Sequence, residues 1–229
     1  MRKAIKTAAI CGIIIIAWGI FSFLSQIIFL GFGLHKASIS FSIFTGIILS
    51  VTSILFYHGF FIMGRRYNAD FLKGVSVYLM FFCILMLLVS IPLIFYAKNT
   101  YSSFDVKGAR EKLEKINITY GGWENVPREV METEFKNIFS PLLWVIGLMI
   151  IFYIFLFLFY GIPKILFGAG LLKIGKKVEY ARITGILNIV AGATMIIFIG
   201  YFIFLVAFIF EIVLLFAEAN KNKIKKNKK

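Results

Sequence analysis

Cysteine and histidine each occur only twice in this 229-residue chain, proline occurs four times, and 11 acidic side chains stand against 25 lysines and arginines. Each scarcity removes a class of chemistry. Cys11 and Cys83 lie far apart with no Cys-x-x-Cys pair and no histidine at ligand spacing, so they read as small apolar fillers and not as a redox dithiol or a metal site. The sequence also lacks His-Glu-x-x-His, Gly-x-Ser-x-Gly, a phosphate-binding glycine loop and a pair of aspartates within apolar sequence. No enzyme, metal or cofactor is therefore expected.

What the chain has instead is apolar length. Hydrophobic residues make up 60% of it, phenylalanine alone occurs 27 times, and the sequence falls into apolar runs of the length a helix needs to cross a bilayer. The runs predict an all-α polytopic transmembrane bundle. The first span covers Ala8 to Gly31; a short turn with Gly33, His35 and Lys36 leads into a second from Ser38 to Met63, and a third covers Gly74 to Ala97. Residues 1–97 thus hold three spans. A basic start before Ala17-Trp18-Gly19 loosely resembles a secretory signal, but the apolar run continues past a signal's usual length, so it is read as an uncleaved span.

Residues 98–140 form a polar segment that holds seven of the 11 acids, balanced by seven Lys or Arg. Two short amphipathic helices, Val106 to Ile116 and Pro127 to Phe139, joined through Gly121-Gly122, fit its pattern, and Asn117-Ile118-Thr119 is a glycosylation acceptor motif. A fourth span is expected to begin at Pro141 as a first helical residue and to kink at Pro163 before ending near Leu172. The last apolar run, Ile183 to Ala219, would make about 55 Å of helix against roughly 30 Å of hydrocarbon, so two short helices turning near Gly200 are expected. Residues 141–219 then hold spans four to six, and 220–229 are a lysine-rich tail.

Charge supports six spans over the alternative of five. With both termini in the cytoplasm, Arg2, Lys3, Lys6, Arg65, Arg66, Lys73, Lys173, Lys176, Lys177, Arg182 and the tail lysines from Lys221 to Lys229 share one side, as the positive-inside rule requires. Five spans would place the tail outside. The expected location is the cell membrane, with membrane lipids as partners and the tail on anionic headgroups; no aromatic or structural feature supports nucleic-acid binding.

Two stretches offset by 111 positions carry one string: Ile54-Leu55-Phe56-x-x-Gly59-x-x-x-x-Gly64-Arg65-Arg66 then Gly74, and Ile165-Leu166-Phe167-x-x-Gly170-x-x-x-x-Gly175-Lys176-Lys177 then Gly185. This predicts a parallel internal hairpin repeat. Gly59 and Gly170 would admit a neighbouring helix, Gly64 and Gly175 would suit helix ends, and the basic doublets would sit at headgroups.

The stretch Arg182-Ile-Thr-Gly185-Ile-Leu-Asn188-Ile-Val-Ala-Gly192-Ala, with the apolar run through Gly200 to Leu215, resembles the carboxy-terminal half of the domain of unknown function 996 family, small and mostly archaeal integral membrane proteins. The resemblance covers about a third of the chain. It implies a polytopic membrane fold and, since the family has no assigned activity, no reaction. Glu211 departs from the purely apolar closing helix of that family.

Few ionisable groups fall within the apolar runs, and each would cost on the order of 3 kcal/mol at mid-bilayer, so they mark candidate functional positions. Glu211 and Lys164 are expected at similar depth and could neutralise each other between the fourth and sixth helices; snorkelling after Pro163 is the structural reading for Lys164. His58 reads as a backbone-bonded interface histidine and Asn188 as a bridge between helices. Ser38, Ser42, Gly46 and Ser50 form a four-residue stripe that reads as a packing face, with no facing polar stripe to make a pore. The expected role is a non-catalytic scaffold or partner-binding subunit, alone or as a homo-oligomer or with another membrane protein; a small-solute or ion transporter working as an oligomer is the alternative. A transporter should show a polar cavity around Glu211, Lys164 and Asn188, and a scaffold a packed interior.

Overall fold

The computed structural model describes all residues except 33–34, 104–105, 196–198 and 227–229. Gly33 of the first turn, Asp105 and the last two lysines of the tail therefore lie outside the described residues. The described residues contain helices and turns and no strand: α1 (Arg2–Gly31), α2 (His35–Arg66), α3 (Asp70–Ser103), α4 (Val106–Thr119), α5 (Arg128–Leu156), α6 (Ile162–Ile174), α7 (Ala181–Thr194) and α8 (Ile199–Lys226). A 3-10 turn occupies Trp123–Asn125, and a π-helical turn, Phe157–Gly161, joins α5 to α6. The all-α expectation holds.

Among the described residues, five helical stretches are long and apolar enough to cross a membrane: Arg2–Phe29, Ser40–Arg66, Asp70–Pro92, Ile146–Ile174 and Ile199–Lys221. The carboxy-terminal run divides, as its length demands, but unequally. α7 has 14 residues, about 21 Å of helix and short of a full crossing, whereas α8 has 28. The break falls near Gly200, as expected; Gly200 itself lies in the first turn of α8, where a Cβ would collide with the backbone of Met195 and sit 2.6 Å from the Ala191 carbonyl oxygen. Its role is to let the two helices leave the turn in contact.

Two further expectations are corrected at the prolines. Pro141 does not open a helix: α5 starts at Arg128, just after Pro127, and passes position 141 unbroken, so the second amphipathic segment and the fourth span are one helix. Pro163 marks a real irregularity, which takes the form of the π turn before it. Proline has no N–H for the carbonyl four residues back, Phe159, and the turn widens there.

The chain forms two compact units, 1–90 with 155–229, and 91–154. In the first, α1 and α2 form a hairpin, α6, α7 and α8 follow one another antiparallel, and α8 runs antiparallel to α1. Arg2 Nε donates to the Ala219 carbonyl at 2.5 Å, while a Cβ at Gly12 would meet Ile212 Cγ1 at 2.5 Å. Phe56, Phe60, Met63, Phe167, Leu171 and Leu215 form the centre of its core. The second unit contains α4, the Gly121-Gly122 turn with φ of 68° and 138°, and most of α5, with Val126 and Ile138 buried. α4 covers the expected first amphipathic helix and includes Asn117 in its last turn.

Candidate functional site

Lys164 lies in the first turn of α6, one helical turn after Tyr160, so both side chains project from the same face. Its ammonium donates to Glu211 Oε1 of α8 at 2.7 Å, with both side chains about 1% exposed or less. The pair sits among rings. The ammonium is 4.9 Å from the centre of the Phe167 ring, 5.2 Å from Tyr57 and 5.9 Å from Tyr160, and the phenols of Tyr57 and Tyr160 share a hydrogen bond at 3.3 Å. Ring faces carry negative potential, so they help hold the buried ammonium. Neutralisation by Glu211 then limits the cost of placing either charge in apolar surroundings.

Asn188 is fully buried on α7. Its amide Nδ2 donates to the Thr184 carbonyl at 3.0 Å, and its Oδ1, like Glu211 Oε2, has no hydrogen-bond partner among the described residues. The two helices are in register nearby, because Thr184 Oγ1 lies 3.5 Å from the carbonyl oxygen of Phe210. His58 stands apart from this cluster: it is exposed and its ring stacks on Phe61.

Above the ion pair, a groove of about 610 Å³ runs between α1, α2 and α8 and is walled by Gly19, Phe56, Tyr57, Tyr160, Phe204 and Phe208. Lys164 forms part of its floor, whereas Glu211 and Asn188 do not line it. Several groove-edge residues, among them Ile20, Leu205 and Ile209, are exposed, so the groove opens to the outside of the bundle.

The six repeat glycines take different roles. A Cβ at Gly59 would strike Ala8 of α1, and one at Gly170 would lie 3.2 Å from Leu72 Cα of α3, so these two do admit neighbours. Gly185 meets Gly168: a Cβ on either would stand 2.7 Å or 2.5 Å from the other's carbonyl oxygen, and Gly192 pairs with Gly161 in the same way at 2.7 Å. α6 and α7 thus touch backbone to backbone. Gly74 has nothing within 4 Å of a Cβ. Gly64 and Gly175 lie at the ends of α2 and α6 but are not the left-handed residues of their turns; those are Asn68, φ 52°, and Tyr180, φ 64°. The first helices of the two strings bury matching positions, Phe56 with Phe167, Phe60 with Leu171 and Met63 with Ile174, and the next helices begin 111 apart, at Asp70 and Ala181. Beyond that point the match ends, since Leu79 is buried and Val190 exposed.

Several partners were not anticipated from the residues. Glu218 is buried and accepts from Tyr67 Oη at 2.6 Å and from Arg66 at 2.7 Å, while Lys221 donates to the Lys177 carbonyl at 2.6 Å. These contacts bring the first turn of α1, the α2–α3 turn, the α6–α7 turn and the start of the tail to one end of the first unit. Burial, the hydrogen bond to Glu218 and that carboxylate's charge push the Tyr67 phenol up to about 12. The serine stripe on α2 does face polar side chains: Gln26 donates to Ser42 Oγ at 2.6 Å and accepts from Ser38 Oγ at 2.6 Å, and Ser22 lies 3.5 Å from Thr45 Oγ1. Hydrogen bonds consume both sides, which makes it a packing face.

No family model matches the chain, and no curated protein or solved structure matches it.

Proposed function

We propose that the chain is a non-catalytic, six-pass protein of the cell membrane that acts as a partner-binding scaffold, with both termini and the lysine tail on the cytoplasmic side among anionic lipids. α7 makes the fifth pass, short but paired to α8. Support for equal sidedness comes from Arg2 bonded to Ala219, Arg66 to Glu218 and Lys221 to Lys177, which place every short basic segment at one end. The matching burial of Phe56 with Phe167 and of Met63 with Ile174 supports a duplicated hairpin. A relationship to the domain of unknown function 996 family rests on the Arg182 to Leu215 pattern alone.

The observation that carries the scaffold reading is the fourth span. Between positions 146 and 160 no residue whose burial is described is buried, and Leu143, Trp144, Ile150 and Ile151 are exposed just before and within this stretch, whereas its continuation in α6 is packed. This stretch leaves apolar surface free for another helix, from a second copy or from a different membrane protein. The mutually neutralised pair Lys164–Glu211 and the buried Asn188, joined to no polar path among the described residues, favour a fixed interior over transport. A photo-reactive phenylalanine analogue replacing Trp144 in native membranes is expected to give a protein adduct of discrete mass. Adducts with lipid alone, together with saturable solute uptake by reconstituted vesicles, would replace this reading with the transporter.

A further inference from the structure

α5 carries a furrow along its own surface. It measures about 310 Å³ and is walled, among the described residues, by side chains of this one helix, all within the second unit. Its wall follows a seven-residue repeat. Trp144 and Ile151, 71% and 65% exposed, stand seven apart as projections, and Ser140 and Gly147, also seven apart, make the notches between them. Lys136 and Leu143 flank one side and Leu148 the other, which fills the a, d, e and g places of a heptad with Trp144 and Ile151 at a and Ser140 and Gly147 at d. The pattern continues beyond the furrow to Asn137 at a and Ile154 at d, both exposed. A Cβ at Gly147 would have nothing within 4 Å, so that notch stands open.

This face presents both halves of a knobs-into-holes seam. Positions 140, 143, 144 and 147 outline one hole and positions 144, 147, 148 and 151 the next, and the knobs that enter such holes are large apolar side chains spaced as Trp144 and Ile151 are. A face that carries its own complement pairs with an identical face across a two-fold axis. Polarity selects the same occupant. A neighbouring helix must be polar beside Lys136 and Asn137 and apolar from Trp144 to Ile154, with the change at one height. α5 of a second copy, entering the bilayer in the same direction, has that profile by construction, whereas an acyl chain does not. The two Asn137 amides then meet at an a place, where each can donate to and accept from the other, and such a pair fixes register and helix number. The two Lys136 ammoniums lie on opposite flanks. One heptad earlier, Glu129 of one copy and Glu134 of the other would share a flank as like charges, so the seam starts at Asn137.

We propose that two copies of the chain pair through α5, from Asn137 to Ile154, in a parallel two-fold seam with Trp144 and Ile151 of each seated in the notches of the other. The proposal rests on the scaffold reading above and names its partner as a second copy.

The experiment uses the full chain in native membranes. Two differently tagged forms are co-expressed in a Cys11→Ala, Cys83→Ala background, each with one introduced cysteine, and oxidised with copper phenanthroline. A disulfide needs Cα atoms within about 7 Å, so Ser140→Cys and Ile154→Cys should each give a product of twice the chain mass that carries both tags. Ile146→Cys, exposed but off the seam, should not. Gly147→Leu enters open space in its own chain, so one copy still folds, and it should lower the Ser140→Cys product about tenfold by filling the notch. Trp144→Ala removes an exposed knob and should lower it severalfold. No product at 140 and 154, equal product at 146, or product that survives both Gly147→Leu and Trp144→Ala overturns the proposal. The photolabel at position 144 separates the two readings: an adduct with a different protein overturns the second copy and keeps the scaffold, whereas lipid adducts alone remove both.

Discussion

Tyr78 donates its phenol hydrogen to the carbonyl oxygen of Phe159 at 3.1 Å, the acceptor that Pro163 leaves vacant four residues further along the chain. A proline defect in one helix is thus satisfied from another. A neutral hydrogen bond contributes on the order of 1 kcal/mol, and more if its loss strands a carbonyl in apolar surroundings. Tyr78→Phe is expected to lower the unfolding midpoint of the detergent-purified protein. In a Pro163→Ala background the helix can supply its own donor, so the same Tyr78→Phe change should cost measurably less. Equal penalties in both backgrounds, measured as a double-mutant cycle, would show that the phenol does not serve this carbonyl.

The ion pair should behave asymmetrically under substitution. Removing one partner of a buried pair leaves an uncompensated charge and typically costs about 3–5 kcal/mol, whereas replacing both by apolar residues is often neutral. Lys164→Met and Glu211→Leu alone are expected to reduce yield and thermal stability strongly, and the double variant to recover most of the loss. A swap, Lys164→Glu with Glu211→Lys, should recover part of it. Additive losses in the double variant, read by thermal denaturation, would mean the two side chains do not depend on each other.

How far these features could be read from the residues differs from one to the next. The Lys164–Glu211 contact was foreseeable because each lies about nine residues before a basic cluster expected on the same side, Lys164 before Lys173 and Glu211 before the lysine tail, and two charges at one depth in apolar sequence have few other partners. Tyr57 and Tyr160 were not, since nothing in a tyrosine among many aromatics shows which way it faces; only the Tyr160–Lys164 spacing held a hint. Glu218 was hidden by its place at the very end of the last apolar run, beside the tail, where an acid ordinarily reads as solvated. The helical class followed from run lengths. The lengths of α7 and α8 did not, because the break after Thr194 depends on the close passage of Gly200 over Met195, which is a tertiary fact.

Gly74 and Gly185, matched in the duplicated string, should respond differently, and Gly168, which faces Gly185, should behave as Gly185 does. Gly168→Ala and Gly185→Ala each drive a Cβ to within 2.7 Å of the facing carbonyl oxygen, which cannot move without separating α6 from α7. Both are expected to be strongly destabilising. Gly74→Ala meets open space inside a helix and should be neutral or stabilising by up to about 1 kcal/mol from helix propensity. Comparable losses at 74 and 185 in thermal scans would contradict the contact between α6 and α7.

The Tyr67–Glu218 contact makes an alkaline expectation with a definite sign. The folded value of about 12 lies above the ordinary tyrosine value of 10.0, so the folded protein holds this proton more tightly than the unfolded chain does. Below pH 10 the phenol is protonated in both states and the contribution is complete; as pH rises from about 10 to 12 the unfolded state ionises first and the contribution is lost. The stability difference between the wild type and Tyr67→Phe should therefore shrink across that window. Tyrosinate absorbance should show one phenol, missing in Tyr67→Phe, that titrates near 12, and a group titrating near 10 would contradict the buried bond.

Sidedness can be tested by labelling, because the two membrane readings differ in parity. In a background with Cys11→Ala and Cys83→Ala, single cysteines are placed at exposed positions: Lys176→Cys in the α6–α7 turn and Trp123→Cys in the second unit. In intact cells a membrane-impermeant maleimide should reach position 123 and not 176, and permeabilisation should expose 176. The tail gives the decisive site. Asn220→Cys follows Ala219, whose carbonyl accepts from Arg2, and precedes Lys221, which bonds to the α6–α7 turn, so it is tied by short contacts to both. If α7 and α8 are two passes, position 220 must label with 176; if the carboxy-terminal run crosses once, the tail would label with 123, and the hydrogen bonds from Arg2 and Lys221 could not both form.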